Sequence, residues 1–250
     1  MLWVHIFLGI LQGIFEWIPI SSEGIVAIAS QYLLKELHPI DVALFLHLGT
    51  LFAVLIYFRK DWKEVLCLRN KKLLKFLVIA TIISLAIGFP IYKSLKNITI
   101  GAGLLLVMGF GLLITGFLQK AKKSFNLNLN LFKIAAISGF LQGLSVIPGL
   151  SRSGSTIFGL SLTQENPSKI LKLSYMMSAP VVLASSIYLS FKNPVLITGG
   201  AFISLIFSFL VGIFTLHYLI KFSQKINFSK FAFIFGALCF LGALFSFLIK

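Results

Sequence analysis

One phrase occurs twice in this chain, about half a chain apart. Residues 9–24 read GILQGIFEWIPISSEG, and residues 139–154 read GFLQGLSVIPGLSRSG. Allowing one small slip on each side of the proline, both run Gly-x-Leu-Gln-Gly, then Ile-Pro, then Ser, then Gly. The surroundings are almost continuously apolar. Hydrophobic residues make up 58% of the chain and charged residues only 12%, about half the charged share of a soluble domain. Such a chain folds in lipid, where every backbone polar group must be satisfied internally. Paired apolar segments broken by Gly and Pro in matching halves point to a site near the bilayer midplane. One copy carries Glu16 and Glu23, the other Arg152. Ionisable groups in apolar segments are costly and mark function by default.

Six stretches reach or approach the roughly 20 apolar residues of a spanning helix: about 41–58, 74–92, 99–118, 169–191, 195–219 and 229–249. Two others do not read as spans. Residues 2–18 run into Pro19-Ile20-Ser21-Ser22-Glu23-Gly24 and a short apolar piece, 25–34. Residues 132–147 run into Pro148-Gly149-Leu150-Ser151-Arg152-Ser153-Gly154 and a short piece, 155–163. A helix of about 16 residues is only about 24 Å long, so each first helix ends inside the membrane. The expected fold is an all-α integral membrane protein with a single membrane domain over residues 1–250. Each half (about 1–120 and 131–250) is one re-entrant helix hairpin plus three transmembrane helices. Three crossings is an odd number, so the second half inserts upside down. The result is an inverted repeat whose hairpin tips meet near the middle.

The charges sort on this topology. Sixteen Lys and Arg fall on the side opposite the N-terminus and five on the N-terminal side, with Arg152 left inside. The excess makes the first side cytoplasmic and puts both termini outside, in the cell membrane. The net charge of +15 therefore sits in short loops facing anionic lipid and is not a nucleic-acid signal. Cys67 and Cys239 form neither a disulfide framework nor a metal-ligand spacing. The first residues lack the basic region of a signal peptide, and Glu16 interrupts the apolar stretch.

Arg152 follows Pro148-Gly149 and sits among Ser151, Ser153, Ser155 and Thr156. A planar five-donor cation beside hydroxyls and glycine N–H groups (Gly149, Gly154) suits a phosphate or diphosphate. The helix starting near Ser155 adds its positive end to the same turn. The competing role is an ion pair with Glu16 or Glu23 that ties the hairpins together. Glu16 lies one helical turn after Gln12. A buried carboxylate there can hold a divalent cation, act as a general base, or make a packing ion pair. Gln12 and Gln142 are equivalent in the two copies and suit either backbone or ligand oxygens. Ser21 and Ser22 suit capping of the short helix or ligand contact. Glu23 suits a helix N-terminus or a second acid in the cavity. His47, inside a span, suits packing, phosphate binding or proton movement.

With these residues the chain resembles the undecaprenyl-diphosphate phosphatase family of the BacA/UppP type, along nearly its whole length. QGIFEWIPISSEG is similar to that family's first signature, which usually reads (E/Q)G-x-x-E-(F/W)-x-P-(V/I)-S-S-(T/S)-G-H. PGLSRSGST matches the second signature intact. HLGTLFAVLIYF and ENPSKILKLSYMMSAPV also resemble family segments. The resemblance implies removal of the terminal phosphate from a C55-type polyprenyl diphosphate, leaving the monophosphate carrier lipid. It also implies help from a divalent cation (Mg²⁺ or Ca²⁺) and an active site opening to the outer face. By motif position, Glu16, Ser22, Ser151, Arg152, Ser153 and Thr156 inherit catalytic or phosphate-binding roles. Two positions depart from the commoner pattern. Gln12 stands where an acid is frequent, and Ile25 stands where a histidine follows the glycine. Neither can serve as a base.

The expected catalytic set is Glu16, Ser22, Ser151 and Arg152, with Glu16 as the metal ligand. Gln12, Ser21, Glu23, His47, Gln142, Gly149, Ser153, Gly154, Ser155 and Thr156 are expected to bind substrate phosphate. The expected partners are a polyprenyl diphosphate lipid and the bilayer, with no nucleic acid and with a homodimer as an open oligomeric state. The alternative is a non-hydrolytic transporter or flippase for a polyprenyl phosphate, since broken-helix repeats also build transporters.

Overall fold

A computed structural model describes residues 2–18, 21–34, 37–95, 102–121, 130–163, 167–194, 199–222 and 228–248. The regular structure among them is entirely helical. The duplicated segments form two helix–turn–helix units, α1 (Leu2–Phe15) with α2 (Ser22–Leu33) and α7 (Leu131–Leu144) with α8 (Arg152–Ser161). Between and after them come α3 (Pro39–Tyr57), α4 (Arg59–Leu66), α5 (Lys71–Leu95), α6 (Ala102–Ala121), α9 (Pro167–Lys192), α10 (Gly199–Phe222) and α11 (Phe228–Leu248). All six expected spans are helices. Four of them, α3, α5, α9 and α10, have the length and apolarity to cross a membrane. Residues 99–101, 195–198 and 249 of the expected spans lie outside the described residues, as do Pro19, Ile20, Lys35, Lys96, Lys122, Lys123, Lys225 and Lys250.

One feature corrects the sequence reading. The basic stretch after the first span is not simply a loop, because Arg59–Leu66 is helical. Its Asp61 accepts from Lys172 Nζ of α9 at 2.7 Å, which ties α4 to α9.

The packing is inside out relative to a soluble protein. On α10, Phe202, Ile206, Leu210 and Phe214 recur every fourth residue and are each more than half exposed, while Ser204 and Ser208 are buried. An apolar stripe of this length would be a liability in water and is ordinary in lipid. Inside, small residues let the backbones approach, as expected where association rests on packing and polar contacts. A Cβ on Gly13 of α1 would sit 2.8 Å from the Gly212 nitrogen of α10, and one on Gly143 of α7 would sit 2.8 Å from the Ser84 carbonyl of α5.

The largest packing pairs map onto one another when the two halves are exchanged. Helix α1 lies on α10 as α7 lies on α5, α3 meets α10 as α9 meets α5, and α2 meets α3 as α8 meets α9. The pairs α3–α9 and α6–α11 map onto themselves. Helix α6 also braces the turn between α7 and α8. A Cβ on Gly111 would lie 2.5 Å from the Leu150 nitrogen and 2.6 Å from the Pro148 oxygen, both of which are backbone atoms that cannot swing away. We therefore expect Gly111→Ala to lower stability by about 1–3 kcal/mol. Gly242→Ala, where the nearest atom is Leu105 Cδ1 at 3.6 Å, should be near neutral. Thermal unfolding of both variants in one detergent checks the difference.

Candidate active site at the meeting of the two hairpins

The two turns touch through backbone and hydroxyl groups before any charge is considered. Ser21 caps α2 from a left-handed backbone conformation, φ 66°. Its Oγ accepts from Gly24 N at 3.2 Å and from Gly149 N of the other turn at 3.0 Å. One serine thus caps its own helix and holds the opposite hairpin. Gly149, at φ +93°, has the conformation that favours glycine, and a Cβ there would collide with the Met108 backbone of α6. Ser151 caps α8 by accepting from Gly154 N at 3.1 Å.

Thr115 of α6 completes the turn. Its hydroxyl donates to the Gly149 carbonyl at 3.1 Å and accepts from Ser151 N at 2.9 Å. It satisfies both a carbonyl and an N–H that would otherwise be orphaned in the membrane. No sequence motif marks Thr115. Its role follows only from the fold, which brings residues 36 positions apart together.

The charges follow from this frame. Arg152, the first residue of α8, reaches across to hydrogen-bond Glu16 Oε1, in the bend after α1, and also donates to the Ser174 carbonyl of α9 at 3.3 Å. Glu16 Oε2 accepts from Gln12 Nε2 at 2.7 Å and Ser22 Oγ at 2.8 Å, and lies 3.1 Å from His47 Nε2 of α3. The other imidazole nitrogen, Nδ1, is 2.7 Å from the Ala43 carbonyl, which can only accept, so Nδ1 carries a hydrogen. Ser151 and Ser153 hydroxyls are 3.2 Å apart beside the arginine. The bend after α1 is itself pinned. Trp17 Nε1 donates to the Gly212 carbonyl at 2.8 Å, and Tyr175 OH donates to the Trp17 carbonyl at 3.3 Å.

A small polar pocket lies at this junction, lined by Glu16, Ser21, Ser22, Glu23, His47, Ser151, Arg152 and Ser153, with Ser145 and Leu150 closing it. Eight of the sequence-expected residues therefore converge on one space. The others are placed around it. Gln12 is fully buried behind Glu16, and its Nε2 orients the carboxylate. Thr156 bonds Ser174 Oγ at 2.6 Å and anchors α8 to α9. Ser155 is buried beneath the pocket, and Gly149 and Gly154 contribute backbone. Gln142 donates to the Met177 carbonyl at 3.2 Å and faces a second, larger cavity.

That cavity, of about 190 Å³, adjoins the polar pocket and shares Glu23, His47, Ser145 and Arg152 with it. Its walls are otherwise mostly apolar, with Leu85 and Phe89 from α5 and Val181, Val182 and Leu189 from α9 among them. A charged end and an apolar body are what an amphiphilic ligand requires.

Comparison with known proteins agrees with this reading. Residues 5–241 match the family model described as bacitracin resistance protein BacA. A protein of Methanococcoides burtonii named undecaprenyl-diphosphatase is 33% identical, over 93% of this chain and 95% of its own. Proteins of the same name from Sulfurisphaera tokodaii and Haloarcula marismortui are 35% and 34% identical. The first match covers 89% of each chain, and the second covers 96% of this chain and 97% of its own.

The buried ion pair has a testable energetic signature. Removing Glu16 alone strands the arginine, and Glu16→Leu is expected to cost about 3–5 kcal/mol. The double variant Glu16→Leu/Arg152→Met should recover most of that loss, because no guanidinium is left without its carboxylate. A double-mutant cycle of unfolding in detergent measures it.

Proposed function

The chain belongs to the bacitracin resistance protein BacA family, and on that premise we propose that it is a membrane phosphatase. It removes the terminal phosphate of a polyprenyl (undecaprenyl-type) diphosphate and leaves the monophosphate carrier in the bilayer. The observation that carries this is the arginine–carboxylate–hydroxyl cluster at one end of an apolar cavity, within a membrane-type helical bundle.

In this reading the prenyl chain lies in the cavity between α5 and α9, and the diphosphate reaches the polar pocket. Phosphoryl transfer spreads charge over the equatorial oxygens of the transferred group. Arg152, released in part from Glu16, and the first turn of α8 meet that charge with preorganised donors. Ser151 and Ser153 add hydroxyls. Glu16 Oε2 already holds the Ser22 hydroxyl at 2.8 Å, so it can take the proton of Ser22, or of a water bound in its place, as that oxygen bonds the terminal phosphorus and the anhydride P–O bond breaks with the prenyl monophosphate leaving. If Ser22 attacks, a water then cleaves the phosphoserine to release phosphate. Gln12 fixes the rotamer of Glu16, and His47 holds its other flank. The family resemblance also implies Mg²⁺ or Ca²⁺, which when bound would neutralise diphosphate charge. Glu16 fits that group poorly: Oε1 is taken by Arg152, and Oε2 already has two hydrogen-bond donors and His47 beside it.

The topology proposed with this function is a single domain over 1–250, an inverted repeat of about 1–120 and 131–250 with two re-entrant hairpins. Three observations support it: the duplicated phrase, the exchangeable packing pairs, and the 14-residue lengths of α1 and α7, about 21 Å each against roughly 30 Å of hydrocarbon. Both termini are then outside the cell membrane and the basic loops cytoplasmic. Phe89, Tyr92, Tyr188 and Leu189 put the cavity at the α5 and α9 ends that carry Lys93 and Lys192, which the charge rule assigns to the outer side. That supports an active site opening outward. A homodimer remains compatible with the exposed apolar faces and is part of the proposal only as an oligomeric state to be measured.

The transporter alternative requires the site to open on both faces. The two exchange-related seams differ here. The α5–α9 seam borders the cavity, whereas α3 and α10 meet through Gly49 and Ser208, whose hydroxyl donates to the Leu46 carbonyl at 3.2 Å. This one-sidedness favours an enzyme.

Purified protein should release phosphate from C15 or C55 prenyl diphosphate. Arg152→Ala should lose about 10²–10³-fold in kcat, as for removal of a transition-state donor. Arg152→Lys should not restore it, since an ammonium lacks the planar fork. Undiminished release by Arg152→Ala overturns the assignment. Thr115→Val should lower kcat by about 10²-fold with KM little changed, because it misplaces the anion-binding turn without touching substrate. Thr115→Ser should recover most of the loss in the same assay.

A further inference from the structure

Glu23 is the one acid of the site that the mechanism above leaves unused. It is the second residue of α2, where a carboxylate favours the helix dipole. That position does not account for its surroundings. Glu23 is more than nine-tenths buried, its Oε1 has no hydrogen-bond partner, and it lines both the polar pocket and the apolar cavity. A buried carboxylate oxygen without a partner is expensive, and a native protein keeps one where something else meets it.

The charge balance of the pocket says what that is. Arg152 is paired with Glu16, which leaves Glu23 as a net negative charge when His47 is neutral and a net charge of zero when His47 is protonated. A diphosphate brings at least two more negative charges into a space of low dielectric. It cannot lie beside a bare Glu23 carboxylate unless a cation or a proton comes between them. Among the described residues no group of three His, Cys, Asp or Glu is arranged to hold a metal alone. The unpartnered carboxylate of Glu23 beside a diphosphate is instead a donor set of the kind Mg²⁺ uses, since that ion is commonly bound by one or two carboxylates together with substrate phosphates.

Resting on the phosphatase reading, we propose that Glu23, not Glu16, is the protein ligand of the divalent cation, and that the cation binds only together with the diphosphate, bridging it to Glu23. Gln12 then costs nothing at the metal. Its position supplies a donor to Glu16, while the acidic function has moved to the other side of the proline.

The test uses the full-length protein in nanodiscs, with Mn²⁺ and a non-hydrolysable C15 prenyl methylenediphosphonate, read by electron paramagnetic resonance of free and bound Mn²⁺. Wild-type protein should bind Mn²⁺ at least tenfold more tightly with the diphosphonate than without it. Glu23→Gln should lose that tenfold gain, and Glu23→Asp should keep a substantial part of it. Thermal unfolding identifies a variant that has not folded, and the wild-type comparison with and without diphosphonate stands regardless. Mn²⁺ binding by Glu23→Gln equal to wild type overturns the proposal. So does full phosphate release by Glu23→Gln in the presence of chelator, which would make Glu23 a neutral acid donating to phosphate. Either result leaves the phosphatase reading standing, whereas undiminished phosphate release by Arg152→Ala would remove both.

Discussion

A charge buried in a membrane protein must be answered by another charge, and here the answer comes from the opposite half of the chain. Neither Arg152 nor Glu16 has the makings of a stable site alone. Each ion would lose several kcal/mol of hydration on entering the bilayer interior. Bonded to each other across 136 residues, they make the two hairpins mutually necessary. Ser21 adds a neutral bond along the same seam, taking the Gly149 N–H, so the junction does not rest on the ion pair only. The pair is also poised for exchange. A phosphate oxygen can replace Glu16 as a partner of the guanidinium, and the carboxylate so released is the one that already holds the Ser22 hydroxyl. The interaction that ties the hairpins together is thus the one the proposed reaction would use.

The rest of the bundle holds that junction in place without crowding it. Small residues bring α1 onto α10 and α7 onto α5, so the first helix of each hairpin is clamped by a long helix of the opposite half. Helix α6, backed by α11, presses Gly111 and Thr115 against the turn that leads into Ser151, Arg152 and Ser153. Divergence between the halves then does the specialising. Where α3 and α10 pack tightly, the exchange-related α5 and α9 enclose a cavity lined by residues such as Leu85, Phe89 and Val182.

Much of this was legible in the sequence because it is written in local pattern. The duplicated phrase located both hairpins, the apolar runs located all six long helices, and the acid in one copy and base in the other located the junction. What was not legible depends on contacts between distant residues. Thr115 and Ser174 look like any hydroxyl in a span, and only the fold shows one holding Gly149 and Ser151 and the other accepting from Arg152 at its carbonyl and meeting the Thr156 hydroxyl with its own. The distinction between Gln12, Gln142 and the phosphate pocket was equally hidden. Equivalent in sequence, one orients Glu16 and the other ties α7 to α9. Helix α4 was missed because its charged face obscures an apolar one, of which Val65 is the buried member.

The two departures from the commoner signature are resolved by the same kind of long-range supply. Ile25 belongs to an apolar cluster. It packs with Phe15, Ile18 and Ile28 around Met108, Leu112 and Cys239. The imidazole at the site comes instead from His47 on α3, and it approaches Glu16 from the side opposite Arg152's oxygen. Gln12 likewise supplies a donor where an acid would have placed a second negative charge one turn from Glu16. With Glu23 two residues before Ile25, the pocket keeps two carboxylates, one imidazole and one guanidinium. A motif records which positions carry the groups. The physical requirement is that the groups reach the same small volume with their charges balanced, and a span brought alongside the hairpin can meet it as well as the hairpin itself.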